Sequence, residues 1–90
     1  MSRGRLRFLL KHLTTEQFCA EFMPAEKRWL TELASAVYRR IQLQAYLHSM
    51  LAVPHLQAQH LLHDSAPNSA ERLLGALERL SYACLQNSVQ

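Results

Sequence analysis

Apolar residues recur every three or four positions along nearly the whole chain, the spacing that lines one face of an α-helix. In the first segment Leu6, Leu9, Leu10 and Leu13 form such a stripe while Arg3, Arg5, Arg7 and Lys11 lie off it, which predicts a helix over 4–13. Thr14 and Gln17 have the spacing of a capping box, in which the hydroxyl accepts from a free amide of the next helix and the N3 side chain reaches back. A short second helix carrying Phe18, Cys19 and Phe22 is expected to stop at Pro24, because the residue before a proline is pushed out of the α region.

Pro24 suits the first position of a third helix, and from there to Ala52 no Gly or Pro interrupts the chain. At about 1.5 Å per residue this rod is roughly 40 Å long, ending where Pro54 forbids continuation. Leu30, Leu33, Ala34, Val37 and Ile41 form the apolar face of its first half; Leu43, Leu47, Met50 and Leu51 lie further round the cylinder in the second. One polar stripe, Arg28, Glu32, Ser35, Arg39, Gln42, Tyr46 and Ser49, is expected to face water. A weaker helix over 54–63 carries Leu56, Leu61 and Leu62. Turn formers around Pro67 follow, and Asn68 with Glu71 opens a fifth helix whose stripe is Ala70, Leu73, Leu74, Leu77, Leu80 and Cys84. The pattern predicts one all-α domain over 1–90: a small bundle of four to five helices around one long central helix (about 24–52), with an antiparallel C-terminal helix (about 69–86).

Composition agrees with a globular fold: 49% of the 90 residues are hydrophobic and 19% charged, with two Gly and three Pro. A chain this short buries only about 60 to 65% of the surface its unfolded form exposes, so a partner or a second copy is a common source of extra stability. Apolar runs such as "FLL" and "MLAV" are far shorter than the ~18 residues of a membrane span. The basic opening contains no secretory signal pattern, since Lys11 and His12 break its apolar part, so a reducing, cytoplasmic location is expected. Cys19 and Cys84 have no C-x-x-C or C-x-x-H spacing and fall on apolar stripes, as buried inert thiols do.

Four of the five histidines, His48, His55, His60 and His63, lie within "HSMLAVPHLQAQHLLHD". Zinc requires three or four converging ligands, and only His60 and His63 share a helical face here, so the cluster reads as a helix-helix joint and no metal or other cofactor is expected. No G-x-S-x-G, P-loop, dinucleotide fingerprint or H-E-x-x-H occurs, so no enzyme and no small-molecule substrate is expected. "DSA" at 64–66 resembles the Asp-Ser-Leu of acyl carrier proteins in two residues, but Pro67 stands where their helix starts.

Charge is uneven. Arg3, Arg5, Arg7 and Lys11 meet no acid in the first thirteen residues, while the remaining chain carries six basic and seven acidic side chains, so the net +3 is an N-terminal property. The segment 14–40, "LTTEQFCAEFMPAEKRWLTELASAVYRR" with Leu13 before it, resembles the helix-turn-helix of bacterial regulators. That resemblance implies a nucleic-acid contact through Arg28, Arg39 and Arg40 beside the basic N-terminus. It is the alternative reading, with Arg3, Arg5, Arg7, Lys11, Arg28 and Arg39 as its residues.

The leading reading rests on surplus apolar circumference of the central rod. Trp29, Leu33, Ala36, Leu43, Leu47, Met50 and Leu51 add a second apolar arc that short neighbours cannot cover, and Arg40, Gln44 and His48 are embedded in it one turn apart. Polar residues within an apolar band are disfavoured in a core but normal at an interface, where they select register and partner. A small bacterial, cytoplasmic, non-enzymatic adaptor, chaperone or regulator is therefore expected, binding a protein partner or itself as a homodimer through eight residues, Trp29, Leu33, Arg40, Leu43, Gln44, Leu47, His48 and Met50, with Trp29 as the anchor.

Overall fold

The computed structural model describes residues 2–63 and 68–89, the side chains of 2, 3 and 86–89 excepted. The turn formers at 64–67, with the acyl-carrier-like "DSA", and the Arg3 side chain lie outside the described residues. Helices α1 (Ser2–His12), α2 (Thr15–Gln17), α3 (Met23–Glu32), α4 (Ala36–Ala58) and α5 (Ser69–Val89) are joined between α2 and α3 by a π-helical turn, Phe18–Phe22. No strand occurs among the described residues. The bundle measures 39 × 21 × 19 Å. Its axis is α4, which packs against α1 on one side and α5 on another. Cys84 and Leu85, late in α5, lie beside Ala36 and Leu43, early in α4, so the two helices run antiparallel.

The all-α bundle around a long central helix is as the periodicity predicts, but that helix covers 36–58 and not 24–52. Pro24 does not stop a helix. The amide of Met23 bonds to the carbonyl of Phe18, five residues back, and the wide turn carries the helical course straight from α2 into α3. Pro24 then occupies the first turn of α3, directly after the wide turn, so the lost N–H and the proline ring fall where the hydrogen-bond register is changing from five residues back to four. The Met-Pro turn that the helix-turn-helix resemblance needs is therefore absent.

The actual break falls at 33–35. Leu33 is extended (φ −79°, ψ 105°), and Ser35 caps α4 by accepting the Tyr38 amide at 3.3 Å. Apolar periodicity alone runs straight through this point; the serine cap is what marks it. The guanidinium of Arg39 fastens the break by donating to the carbonyl of Leu33.

Pro54 likewise does not end the central helix, and the separate helix expected over 54–63 does not form. Interior proline costs about 3 kcal/mol. Val53 and Leu56, both buried, flank it, and each stabilises by roughly 1.5–3 kcal/mol when removed from water, which offsets that cost. The helix ends instead at a Schellman motif: His60 takes φ 58°, its amide bonds to Gln57 O at 3.1 Å, and the Leu61 amide to Leu56 O at 2.9 Å.

The Thr14–Gln17 capping box forms with both bonds at 3.0 Å. In α5 the expected stripe is the buried one: Ala70, Leu73, Leu77, Leu80 and Cys84 all enter the core, with Leu74 half-buried. Asn68 opens this helix, its carbonyl accepting the Arg72 amide at 3.1 Å.

Candidate functional site

The face that α4 turns inward is the polar stripe expected to face water. Gln42, Tyr46 and Ser49 are buried, Tyr46 completely, beside Ala45, Val53 and Leu56. This overturns the sequence reading, and hydrogen bonding supplies the reason. A buried hydroxyl is tolerated when it is satisfied. Ser49 donates to its own helix at Ala45 O, 2.8 Å, and Ser81 on the facing α5 does the same to Leu77 O at 2.9 Å. Ala45 and Ser49 are small, as Ala76 and Ser81 are, which suits two closely packed backbones.

Tyr46 finds its partner on another helix. Its hydroxyl donates to Glu26 Oε2 at 2.6 Å, and the same carboxylate accepts Arg5 Nη2 at 2.6 Å and Nη1 at 3.2 Å. The three side chains tie α1, α3 and α4 together at one point, with the Arg5 guanidinium also 5.7 Å above the Phe22 ring. Burial and the neighbouring Glu26 carboxylate push the Tyr46 hydroxyl well above the ordinary tyrosine range. The hydrogen bond to Glu26 raises Arg5 further, against the opposing effect of its partial burial. Desolvation pushes the nearby Cys84 thiol up to about 11, Glu26 adding to the effect. No sequence signal joins these three residues, since their partners lie on separate helices.

The consequence is on the other side of α4. Val37, Ile41, Leu47 and Leu51 face solvent, Val37 at 64% and Leu51 at 77% exposure, with Tyr38 beside them. The expectation that Val37 and Ile41 belong to the core face is therefore corrected. At 100° per residue the outward positions fall into three heptad columns. Val37, Gln44 and Leu51 form one; Arg40, Leu47 and Pro54 another; Ile41, His48 and His55 the third. This is the spacing with which one helix lines the seam of a helical pair.

The eight residues expected at an interface divide accordingly. Arg40, Gln44, Leu47 and His48 are exposed together on this outward face. Leu43 and Met50 are half-buried and pack against the core. Trp29, 39% exposed, sits on α3, and Leu33 is the half-buried cap of that helix, so the break at 33–35 removes both from the helix that carries Leu47. Sequence reasoning placed Val37 and Ile41 on the wrong side; their heptad relation to Gln44, Leu51 and His48 is the signal that identifies them.

Two grooves border the ridge. One, of about 330 Å³, lies between α1 and α4 and is lined by Gly4, Arg7, Leu10, His48, Ser49 and Ala52. The other, of about 300 Å³, lies between α4 and α5 and is lined by Ala36, Arg39, Arg40, Leu43, Cys84 and Leu85. The buried Nε of Arg39 has no hydrogen-bond partner among the described residues.

Of the cations expected at a nucleic acid, Arg5 is held by Glu26 and Arg39 by Leu33, while Arg7 and Arg28 are exposed and Lys11 half-exposed. The histidines do not converge. His48 and His55 lie on the outward face of α4, His60 caps its end, and the amide of His63 bonds to Leu10 O at 3.4 Å. No group of three or more potential ligands gathers among the described residues. Nor is any described helix long and apolar enough to cross a membrane. No protein-family model matches the chain, and neither the curated proteins nor the solved structures contain a significant match to it.

Proposed function

We propose that this is a small protein-binding module that presents the outward face of α4 to a helix of a protein partner, in the manner of an adaptor or regulator and without catalysis. One observation carries the reading. The longest core-forming helix turns Gln42, Tyr46 and Ser49 inward while Val37, Ile41, Leu47 and Leu51 remain in water. A helix that buries satisfied polar residues and exposes aliphatic ones in heptad register has an unused apolar seam, and contiguous exposed apolar surface on a small protein marks an interaction site. Arg40, Gln44 and His48 within the seam supply polarity that specifies register.

The test uses Leu47→Ser with Leu51→Ser. Both side chains are already exposed, so the thermal midpoint should stay near that of the wild type. Co-precipitation of partners from the host, compared between the two proteins and identified by mass spectrometry, should lose its specific set with the double variant. An unchanged set would refute the reading.

A further inference from the structure

The chemistry of the partner follows from where the carboxylates are. Neither α1 nor α4 contains an Asp or Glu, and these two helices pack side by side. Arg7 of α1 shares a groove with His48, and Arg39, Arg40, His48 and His55 are carried by α4 itself. The exposed acids Glu16, Glu21, Glu32, Glu71 and Glu78 all belong to the other elements. Each groove bordering the ridge holds basic side chains, Arg7 and His48 on one side and Arg40 and Arg39 on the other; Arg39 gives one guanidinium nitrogen to the Leu33 carbonyl, while its buried Nε has no hydrogen-bond partner among the described residues.

We infer that the partner of this face is an acidic amphipathic helix, whose apolar stripe packs on Val37, Ile41, Leu47 and Leu51 and whose flanking Glu or Asp side chains enter the two basic grooves. The inference rests on the binding role proposed for α4 and adds the charge of what binds. Arginine forks suit carboxylates because two N–H donors match two oxygens. A second copy of this chain fits less well: its own α4 offers no acid, so a pair of α4 helices brings arginine and histidine together with no counter-charge. An anionic lipid surface fits less well too. Gln44 lies in the middle of the seam, where its amide would enter acyl chains unpaired, whereas a helix can hydrogen-bond it.

The experiment measures fluorescence anisotropy of two labelled 21-residue helical peptides with the same Leu/Ile stripe, one flanked by Glu and one by Lys, titrated with the full chain. The Glu peptide should bind at least tenfold more tightly. Its advantage should shrink when salt is raised from 50 to 300 mM, shrink in Arg40→Glu, an exposed position, and vanish in Arg7→Glu with Arg40→Glu, which reverses the charge in both grooves. Leu47→Ser with Leu51→Ser should abolish binding of both peptides.

Equal binding of the two peptides, with loss in the serine variant, would overturn the acidic partner and leave the apolar-face reading standing. Binding of neither would overturn the inference, as would sedimentation of the protein with vesicles of anionic lipid in the absence of peptide affinity. A dimer in sedimentation equilibrium that dissociates in Leu51→Asp would also overturn it, in favour of the second copy.

Discussion

Replacing Tyr46 with Phe removes one oxygen from the middle of the bundle and leaves the ring in place, so no cavity opens and the change isolates a single hydrogen bond. That bond is short, 2.6 Å, fully buried on the tyrosine side, and made to a carboxylate. Hydrogen bonds to charged groups contribute about 1.5–3 kcal/mol net. Glu26 keeps its two bonds to Arg5 in the variant, which holds the loss towards the middle of that range, about 2 kcal/mol. For a domain of this size 1 kcal/mol moves the midpoint by about 4–8 °C, so Tyr46→Phe should melt roughly 10 °C below the wild type. Thermal unfolding followed by far-ultraviolet circular dichroism, and urea unfolding followed by Trp29 fluorescence, would measure it. Glu26→Gln in the same background completes a double-mutant cycle, in which the two changes should couple by about 1–2 kcal/mol because both act on one bond. A Tyr46→Phe variant within about 0.5 kcal/mol of the wild type, as expected of an exposed position, would refute the inward placement of Tyr46.

Three further outcomes follow from the same geometry. Pro54→Ala should stabilise the chain by about 2 kcal/mol in urea unfolding: it relieves an interior-helix cost of about 3 kcal/mol but frees the unfolded chain by up to about 1 kcal/mol. His60→Gly should stabilise by about 0.5–1 kcal/mol, since a non-glycine residue in the left-handed region costs about 1–2 kcal/mol and glycine gives part of that back as unfolded-state freedom. Cys84 holds its proton to about 11 in the folded chain against an ordinary 9.0, so its contribution is complete below pH 9 and lost as pH rises from 9 to 11, by at most about 3 kcal/mol. Urea midpoints between pH 8 and 11 should therefore fall less steeply in Cys84→Ala than in the wild type.

What could be read along the chain was whatever is decided locally. The Thr14 capping box, the stripe of α5 and the helical character of most of the chain depend on neighbours within a turn or two, and these were legible. Three features were not. Pro24 and Pro54 look like stops because each removes an amide, yet a π turn ahead of the first and buried residues flanking the second let the helix continue. The break at 33–35 lacks Gly or Pro and is signalled only by Ser35 as a cap.

The orientation of α4 is the instructive case. Hydrophobicity ranks Val37 and Ile41 above Tyr46 and Ser49 for burial, but a position's fate depends on whether its polar atoms are satisfied once buried. Ser49 is satisfied within its own helix; Tyr46 requires Glu26, twenty residues earlier and on a different helix. That partnership cannot be seen from periodicity. The proposed binding face was consequently half legible: Arg40, Gln44, Leu47, His48 and Leu51 lie on the outward side of α4, as the second apolar arc has them, whereas Trp29 and Leu33 belong to another helix and Val37 and Ile41 were assigned to the core.

Which side of α4 meets water is open to direct measurement by methyl relaxation in the presence of a soluble paramagnetic agent. Val37, Ile41 and Leu51 methyl signals should be strongly attenuated in the free protein while those of Val53 and Leu56 stay sharp, and the first set should become protected when the acidic helix is added. Sharp Val37 and Ile41 signals beside attenuated Val53 and Leu56 would mean that the helix faces the other way, and the binding face described above would not exist.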